Sequence, residues 1–126
     1  MTPVAPAIRI LVVDDDRSVR DVLTKVLIQS GFAVASAPSG EEALEQLRAA
    51  RFGLMLLDVR MPPGLSGIDL LPQALDLDPE LAVIMLTAVS DVTTAARCMQ
   101  LGARDFLTKP IDISALTAAI EKTLAV

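Results

Sequence analysis

Leu54-Met55-Leu56-Leu57-Asp58-Val59-Arg60-Met61-Pro62 is an apolar run that ends in a carboxylate and then a proline. A short apolar run bounded by turn formers predicts a strand buried on both faces, as in the middle of a parallel sheet. Proline removes a backbone donor and restricts the residue before it, so the strand must stop short of Pro62. We expect this strand over Phe52–Leu57, with a Pro- and Gly-containing loop from Arg60 to Ser66 behind it. Asp58 then stands at the carboxyl end of a central strand, the edge where open α/β sheets bind ligands.

The same strand-then-helix unit recurs on either side. Ile8–Val13 is apolar except for Arg9 and runs into Asp14-Asp15-Asp16. Val19, Val22, Leu23, Val26 and Leu27 follow at helical spacing, and Gly31 ends that helix. Phe32–Ala37 predicts a second strand, and Ser39-Gly40-Glu41-Glu42 has the pattern of a capping box for a helix that turns Ala43, Leu44 and Leu47 inward. After the central strand, Ser66 opens a helix with Ile68, Leu71, Ala74 and Leu75 inside, closed by Pro79. Leu81–Leu86 predicts the fourth strand, Asp91 the start of a helix with Val92, Ala95, Ala96 and Met99 inside, and Arg104–Thr108 the fifth strand. Lys109-Pro110 turns the chain into a last helix marked by Ile113, Leu116, Ile120 and Leu124. Such alternation requires a five-stranded parallel sheet with helices on both faces, an α/β fold. A Rossmann-like order would carry G-x-G-x-x-G after the first strand. Three acids stand there instead, so the expected order is 2-1-3-4-5, as in flavodoxin.

Composition narrows the chemistry. Hydrophobic residues make up 52% of the 126 and aromatics only 2%, so the core is aliphatic. A net charge of −5 argues against direct nucleic-acid contact by this domain. The absence of histidine excludes Ser-His-Asp and Cys-His catalysis and His-ligated metals; any phosphohistidine must come from another protein. Cys98 is alone, which excludes an internal disulfide and fits a reducing compartment. No apolar run approaches the ~18–20 residues needed to cross a bilayer. Met1–Ala7 lack the basic and apolar regions of a leader, so the cytoplasm is the expected location, with no membrane partner. Residues 1–7 are expected to form a flexible lead and 8–126 a single domain.

In a 2-1-3-4-5 sheet, strands 1, 3, 4 and 5 are consecutive, so Asp14, Asp15, Asp58, Thr87 and Lys109 meet in one crevice. Clustered carboxylates raise one another's pKa unless a cation intervenes. A hard ion with oxygen ligands, Mg²⁺ or Mn²⁺, suits them. A carboxylate can also act as nucleophile and become an acyl phosphate, while metal, ammonium and hydroxyl stabilise the charge on the transferring phosphoryl oxygens. Each residue has a plainer role when taken singly. Acids favour helix N-termini, Asp58 suits a turn, Thr87 suits a cap and Lys109 a solvated surface. Their coincidence at corresponding strand ends is what favours the site.

These residues resemble the receiver domain of bacterial two-component response regulators, over about residues 8–125. The resemblance is carried by Leu11-Val12-Val13-Asp14-Asp15, Asp58-x-x-Met61-Pro62, Thr87-Ala88, Gly102-Ala103-x-Asp105-Phe106 and Lys109-Pro110. It implies a signalling domain, not an enzyme acting on other substrates. Asp58 would take a phosphoryl group from a partner histidine kinase or phosphotransfer protein. Asp14, Asp15, Asp58 and the backbone carbonyl of Arg60 would hold the metal. Thr87 and Lys109 would bind phosphoryl oxygens, Thr87 and Phe106 would act as the switch, and Lys109-Pro110 would be a cis peptide. The face formed by the fourth helix, fifth strand and last helix, with Arg97, Gln100, Arg104 and Lys122 as candidates, would engage an output domain, a downstream protein or a second copy on phosphorylation. Arg60 and Val89 fall where the family tunes acyl-phosphate hydrolysis; neither is an acid, so a fairly long-lived phosphoaspartate is expected. The loop Pro62–Gly67 is one residue longer than the family's usual one, which moves its glycine to Gly67. Two rivals remain: a haloacid-dehalogenase-type phosphatase using Asp14-x-Asp16, and a receiver-like module that never takes phosphate.

Overall fold

Leu54–Asp58 and Ala82–Thr87 are buried along their whole length, as expected of strands covered on both faces. In this computed structural model, which describes residues 8–125, they form the centre of the sheet. The lead expected over residues 1–7 lies outside the described residues. In chain order the elements are β1 (Arg9–Val13), α1 (Arg17–Gln29), β2 (Ala33–Ala37), α2 (Gly40–Ala49), β3 (Leu54–Asp58), α3 (Gly67–Leu77), β4 (Ala82–Thr87), a 3₁₀ turn (Val89–Asp91), α4 (Val92–Gln100), β5 (Asp105–Thr108) and α5 (Ile113–Leu124). The five strands pair in parallel in the order β2-β1-β3-β4-β5, as the alternation and the acidic first turn predicted. Among the described residues no helix is long and apolar enough to cross a membrane.

Side chains alternate across each strand and so feed two cores. Leu11, Val13, Met55, Leu57, Val83 and Met85 face a layer made with α2, α3 and α4, through residues such as Leu44, Leu71 and Cys98. Ile10, Val12, Leu54, Leu56, Ile84 and Leu86 face α1 and α5, through residues such as Leu23, Leu27, Leu116 and Ile120. Short polar side chains start the helices. Asp16 accepts from the N–H groups of Ser18 and Val19, Ser39 from Glu42, Ser66 from Asp69 and Asp112 from Ala115. Gly31 and Gly102 take φ of 97° and 115° just beyond α1 and α4, where a side chain would be strained.

Two inward faces differ from the sequence reading. Val22 is 55% exposed, whereas Leu23 and Leu27 carry the buried stripe of α1. In α4 the buried residues are Ala95 and Cys98; Ala96 and Met99 point outward. The run Thr93-Thr94-Ala95-Ala96 is short and small, so its apolar periodicity fixes the rotation poorly, and the preceding 3₁₀ turn shifts the phase.

Candidate functional site

The sheet register assembles the site. Val13 pairs with Leu57, so Asp14 and Asp58 leave neighbouring strands side by side. Asp58 pairs with Leu86, one residue before Thr87, and Thr87 pairs with Thr108, one residue before Lys109. Backbone hydrogen bonds tie these ends together: Asp14 N–H donates to the Ala37 carbonyl at 3.2 Å, Val59 N–H to Leu86 at 2.9 Å, and Lys109 N–H to Thr87 at 2.7 Å. Asp14, Asp58 and Thr87 are buried, at 0%, 6% and 0% exposure, while Asp15 is exposed. All five residues read from the sequence thus lie at one rim of the sheet. Phe106 is half-buried on β5 opposite Met85, which puts it on the same face as Thr87 and one diagonal step away. The peptide between Lys109 and Pro110 is cis, as the resemblance implied, and so is that between Pro62 and Pro63.

The Lys109 ammonium bridges two carboxylates, 2.7 Å from Asp14 Oδ2 and 3.3 Å from Asp58 Oδ2. The contact with Asp58 is a hydrogen bond donated by the ammonium. The closer contact, with Asp14 Oδ2, is an ion pair, and this buried oxygen receives no other donor. Asp14 Oδ1 accepts from Asp16 N–H at 2.9 Å, and Asp58 Oδ1 from Arg60 N–H at 3.3 Å. One carboxylate oxygen from each of Asp14, Asp15 and Asp58 falls within 4.8 Å of the others, a spacing that suits a single hard cation. A buried carboxylate oxygen with no other donor, beside two further carboxylates, is what such an ion would satisfy. Asp16, which the phosphatase alternative needs in the site, uses its carboxylate to cap α1 instead.

Burial, and then the nearby Asp14 charge, push the Asp58 carboxyl up to about 7 against the pull of Lys109. For Lys109, burial acts downward, but the contacts with Asp14 and Asp58 outweigh it and the ammonium is held above its ordinary range. The folded protein therefore holds the Asp58 proton more tightly than the unfolded chain does. The stability this group contributes is present below the ordinary carboxylate value of 3.8 and is lost as the pH rises through about 7. In chelator-treated protein, the melting temperature of wild type should fall relative to Asp58→Asn across that window, leaving Asp58→Asn the more stable at pH 8. Mg²⁺ should restore most of the wild-type loss. Parallel melting curves for the two proteins from pH 4 to 8 would contradict this.

Three supports of the site had no clear signal in the sequence. The Arg20 guanidinium donates to the Asp14 carbonyl at 2.7 Å, fixing the turn after β1. Glu41 Oε2 accepts from Leu65 N–H at 3.1 Å, so the first turn of α2 holds the loop after β3. Arg60 pairs with Asp91, which the sequence reading took only as a helix start. Gly67, by contrast, was singled out by the resemblance, and the reason is steric. An added Cβ would overlap the Asp58 carbonyl oxygen and lie 2.9 Å from its carbonyl carbon and 3.0 Å from Val59 Cα.

Known proteins share this arrangement. A family model described as response regulator receiver domain matches residues 10–121. The transcriptional regulatory protein ZraR of Escherichia coli (strain K12) is 46% identical over 118 residues, covering 94% of this chain and 26% of its own. The DNA-binding transcriptional regulator NtrC of the same strain is 40% identical over 114 residues, covering 90% of this chain and 24% of its own. The chain thus spans about a quarter of the length of these relatives. Among solved structures, the receiver domain of NtrX from Brucella abortus superposes with a TM-score of 0.88 at 31% identity, over 91% of this chain and 97% of that one. The chemotaxis protein CheY4 of Vibrio cholerae gives 0.87 at 26% identity, over 94% and 100%. The family match runs from β1 into α5 and takes in every strand end that builds the acidic rim, so this chain belongs to the response-regulator receiver domains of two-component signalling.

Proposed function

We propose that Asp58 accepts a phosphoryl group from a phosphohistidine on a partner kinase or phosphotransfer protein, and that the resulting charge switches the α4–β5–α5 face. The observation that carries this reading is the Lys109 ammonium held between Asp14 and Asp58 at a rim where β1, β3, β4 and β5 all end. Asp14, Asp15, Asp58 and the Arg60 carbonyl would hold Mg²⁺ or Mn²⁺, which supplies the positive charge that neutralises the phosphoryl oxygens. Lys109 turns from the carboxylates to a phosphoryl oxygen. The Thr87 hydroxyl, which donates to the Ala88 carbonyl at 3.1 Å, rotates inward to another. Its departure opens space on the face it shares with Phe106, and the half-buried ring follows. A local change of charge thereby biases a two-state surface.

A groove of about 250 Å³ beside Lys109 suits the phosphodonor. It is lined by Val19, Val22, Leu23, Pro110 and Ile113, of which Val22 and Ile113 are 55% and 40% exposed. An apolar strip next to the acceptor favours an amphipathic helix carrying the donor histidine. The reading places the domain in the cytoplasm, with residues 8–126 as one receiver unit. An output domain, a downstream protein or a second copy would read the switched face.

The test is phosphate uptake from acetyl phosphate with Mg²⁺, followed by intact-mass measurement. Wild type should gain one phosphoryl group, labile to hydroxylamine, and Asp58→Asn should gain none. A phosphoryl group retained by Asp58→Asn would assign the nucleophile elsewhere, and no uptake by wild type would favour a binding module that works without phosphate.

A further inference from the structure

The Arg60 side chain leaves the loop after β3 and reaches the segment before α4, where Nη2 lies 2.8 Å from Asp91 Oδ1. The partners are unequal: the Asp91 side chain is 11% exposed and that of Arg60 71%. Asp91 precedes α4, yet its carboxylate makes no capping hydrogen bond. Its one ionic partner among the described residues is Arg60. The same Arg60 touches the acceptor through its main chain, donating N–H to Asp58 Oδ1 at 3.3 Å. One residue therefore contacts both the acceptor carboxylate and the start of α4.

We propose that Asp91 is a positioning residue that withholds the Arg60 guanidinium from the acceptor in the resting protein, and that phosphorylation draws the guanidinium away from it. The inference rests on Asp58 being the phosphoacceptor. In that step an Asp58 oxygen forms a bond to phosphorus as the donor's bond to phosphorus breaks, and the leaving group keeps the electron pair. The product carries more negative charge than the carboxylate it replaces. A guanidinium binds phosphoryl oxygens through two parallel hydrogen bonds, a stronger arrangement than its single contact with Asp91. Asp91 is then a buried charge without a partner, which is strongly unfavourable. It must turn outward, and the 3₁₀ turn Val89–Asp91 and first turn of α4 move with it. The ion pair thus couples the acceptor to α4 by a route separate from Thr87 and Phe106.

The experiment follows the Asp91 side-chain carboxyl carbon and the backbone amides of residues 89–95 by NMR, with Mg²⁺, before and after acetyl phosphate. Intact mass reports uptake in the same samples. Phosphorylated wild type should show a shifted Asp91 carboxyl signal. Asp91→Asn and Arg60→Gln should both move the resting amides toward their phosphorylated positions. The uptake rates should then part: about two- to fivefold faster in Asp91→Asn, the range an ion pair with one exposed partner is worth, and slower in Arg60→Gln. A merely structural pair would change both rates in the same direction, and that result overturns the proposal. Added mass with an unmoved Asp91 carboxyl overturns it alone. No added mass in wild type overturns it together with the phosphoacceptor reading.

Discussion

Gly67→Ala should destabilise the domain by about 3 kcal/mol or more, the upper part of the range for forcing extra atoms into a packed site. The atoms in the way are backbone: the Asp58 carbonyl and Val59 Cα. They cannot swing aside as a side-chain tip would, since Val59 N–H is bonded to Leu86 and its carbonyl to Gly67 N–H, each at 2.9 Å. Alanine gains about 0.4–1 kcal/mol by restricting the unfolded chain, too little to offset the overlap. Gly64→Ala is the control in the same loop. There the added Cβ would meet Glu41 Oε1 at 2.8 Å, the end of a flexible side chain that can swing aside at the cost of its bond to Leu65 N–H, and the change should cost only about 1 kcal/mol. Because the displaced group is the carbonyl of Asp58, the proposed acceptor, Gly67→Ala should also lose phosphate uptake under conditions where it remains folded. Urea unfolding of the two variants decides the point; equal midpoints would mean that the strand end yields easily.

Lys109→Met should have two effects that separate by condition. It keeps the apolar stem and removes the ammonium from between Asp14 and Asp58. Removing one partner of a buried ion pair costs about 3–5 kcal/mol, reduced here because the lysine side chain is 26% exposed. Asp58 can also answer the loss by taking a proton, since burial and Asp14 already hold its pKa up. In chelator the variant should therefore be much less stable than wild type at pH 8 and closer to it at pH 5. Mg²⁺ should repair the stability, because a cation replaces a cation. It should not repair uptake, which should stay down by about 100-fold, the loss typical of deleting one donor to a developing oxyanion. Full recovery of uptake with Mg²⁺ would show that Lys109 only balances charge.

The site was legible because its parts are sequence-local and the sheet order does the rest. An acid, a hydroxyl and an ammonium at strand ends need only the order 2-1-3-4-5 to meet, and that order followed from the alternation and from acids where a dinucleotide fold has glycines. What stayed hidden depends on rotation or on long side chains. The rotation of α4 rests on small residues that mark no face. The reach of Arg60 to Asp91 and of Arg20 to the Asp14 carbonyl depends on rotamers that no spacing encodes. Val22 was misread for a more telling reason. It obeys the helical period but stands open in the groove beside Lys109, and departures of that kind concentrate where a surface serves something other than folding.

The loop after β3 is fixed at both ends. Val59 and Met61 are buried at its start, and Leu65 N–H is held by Glu41 before Gly67 closes it; Pro62, Pro63 and Gly64 between them are exposed. Insertions and deletions in that exposed middle need not disturb the chemistry beneath. A lineage is free to vary the outline it shows to neighbouring proteins there while inheriting the same reactive pocket, so recognition and reactivity can diverge at independent rates.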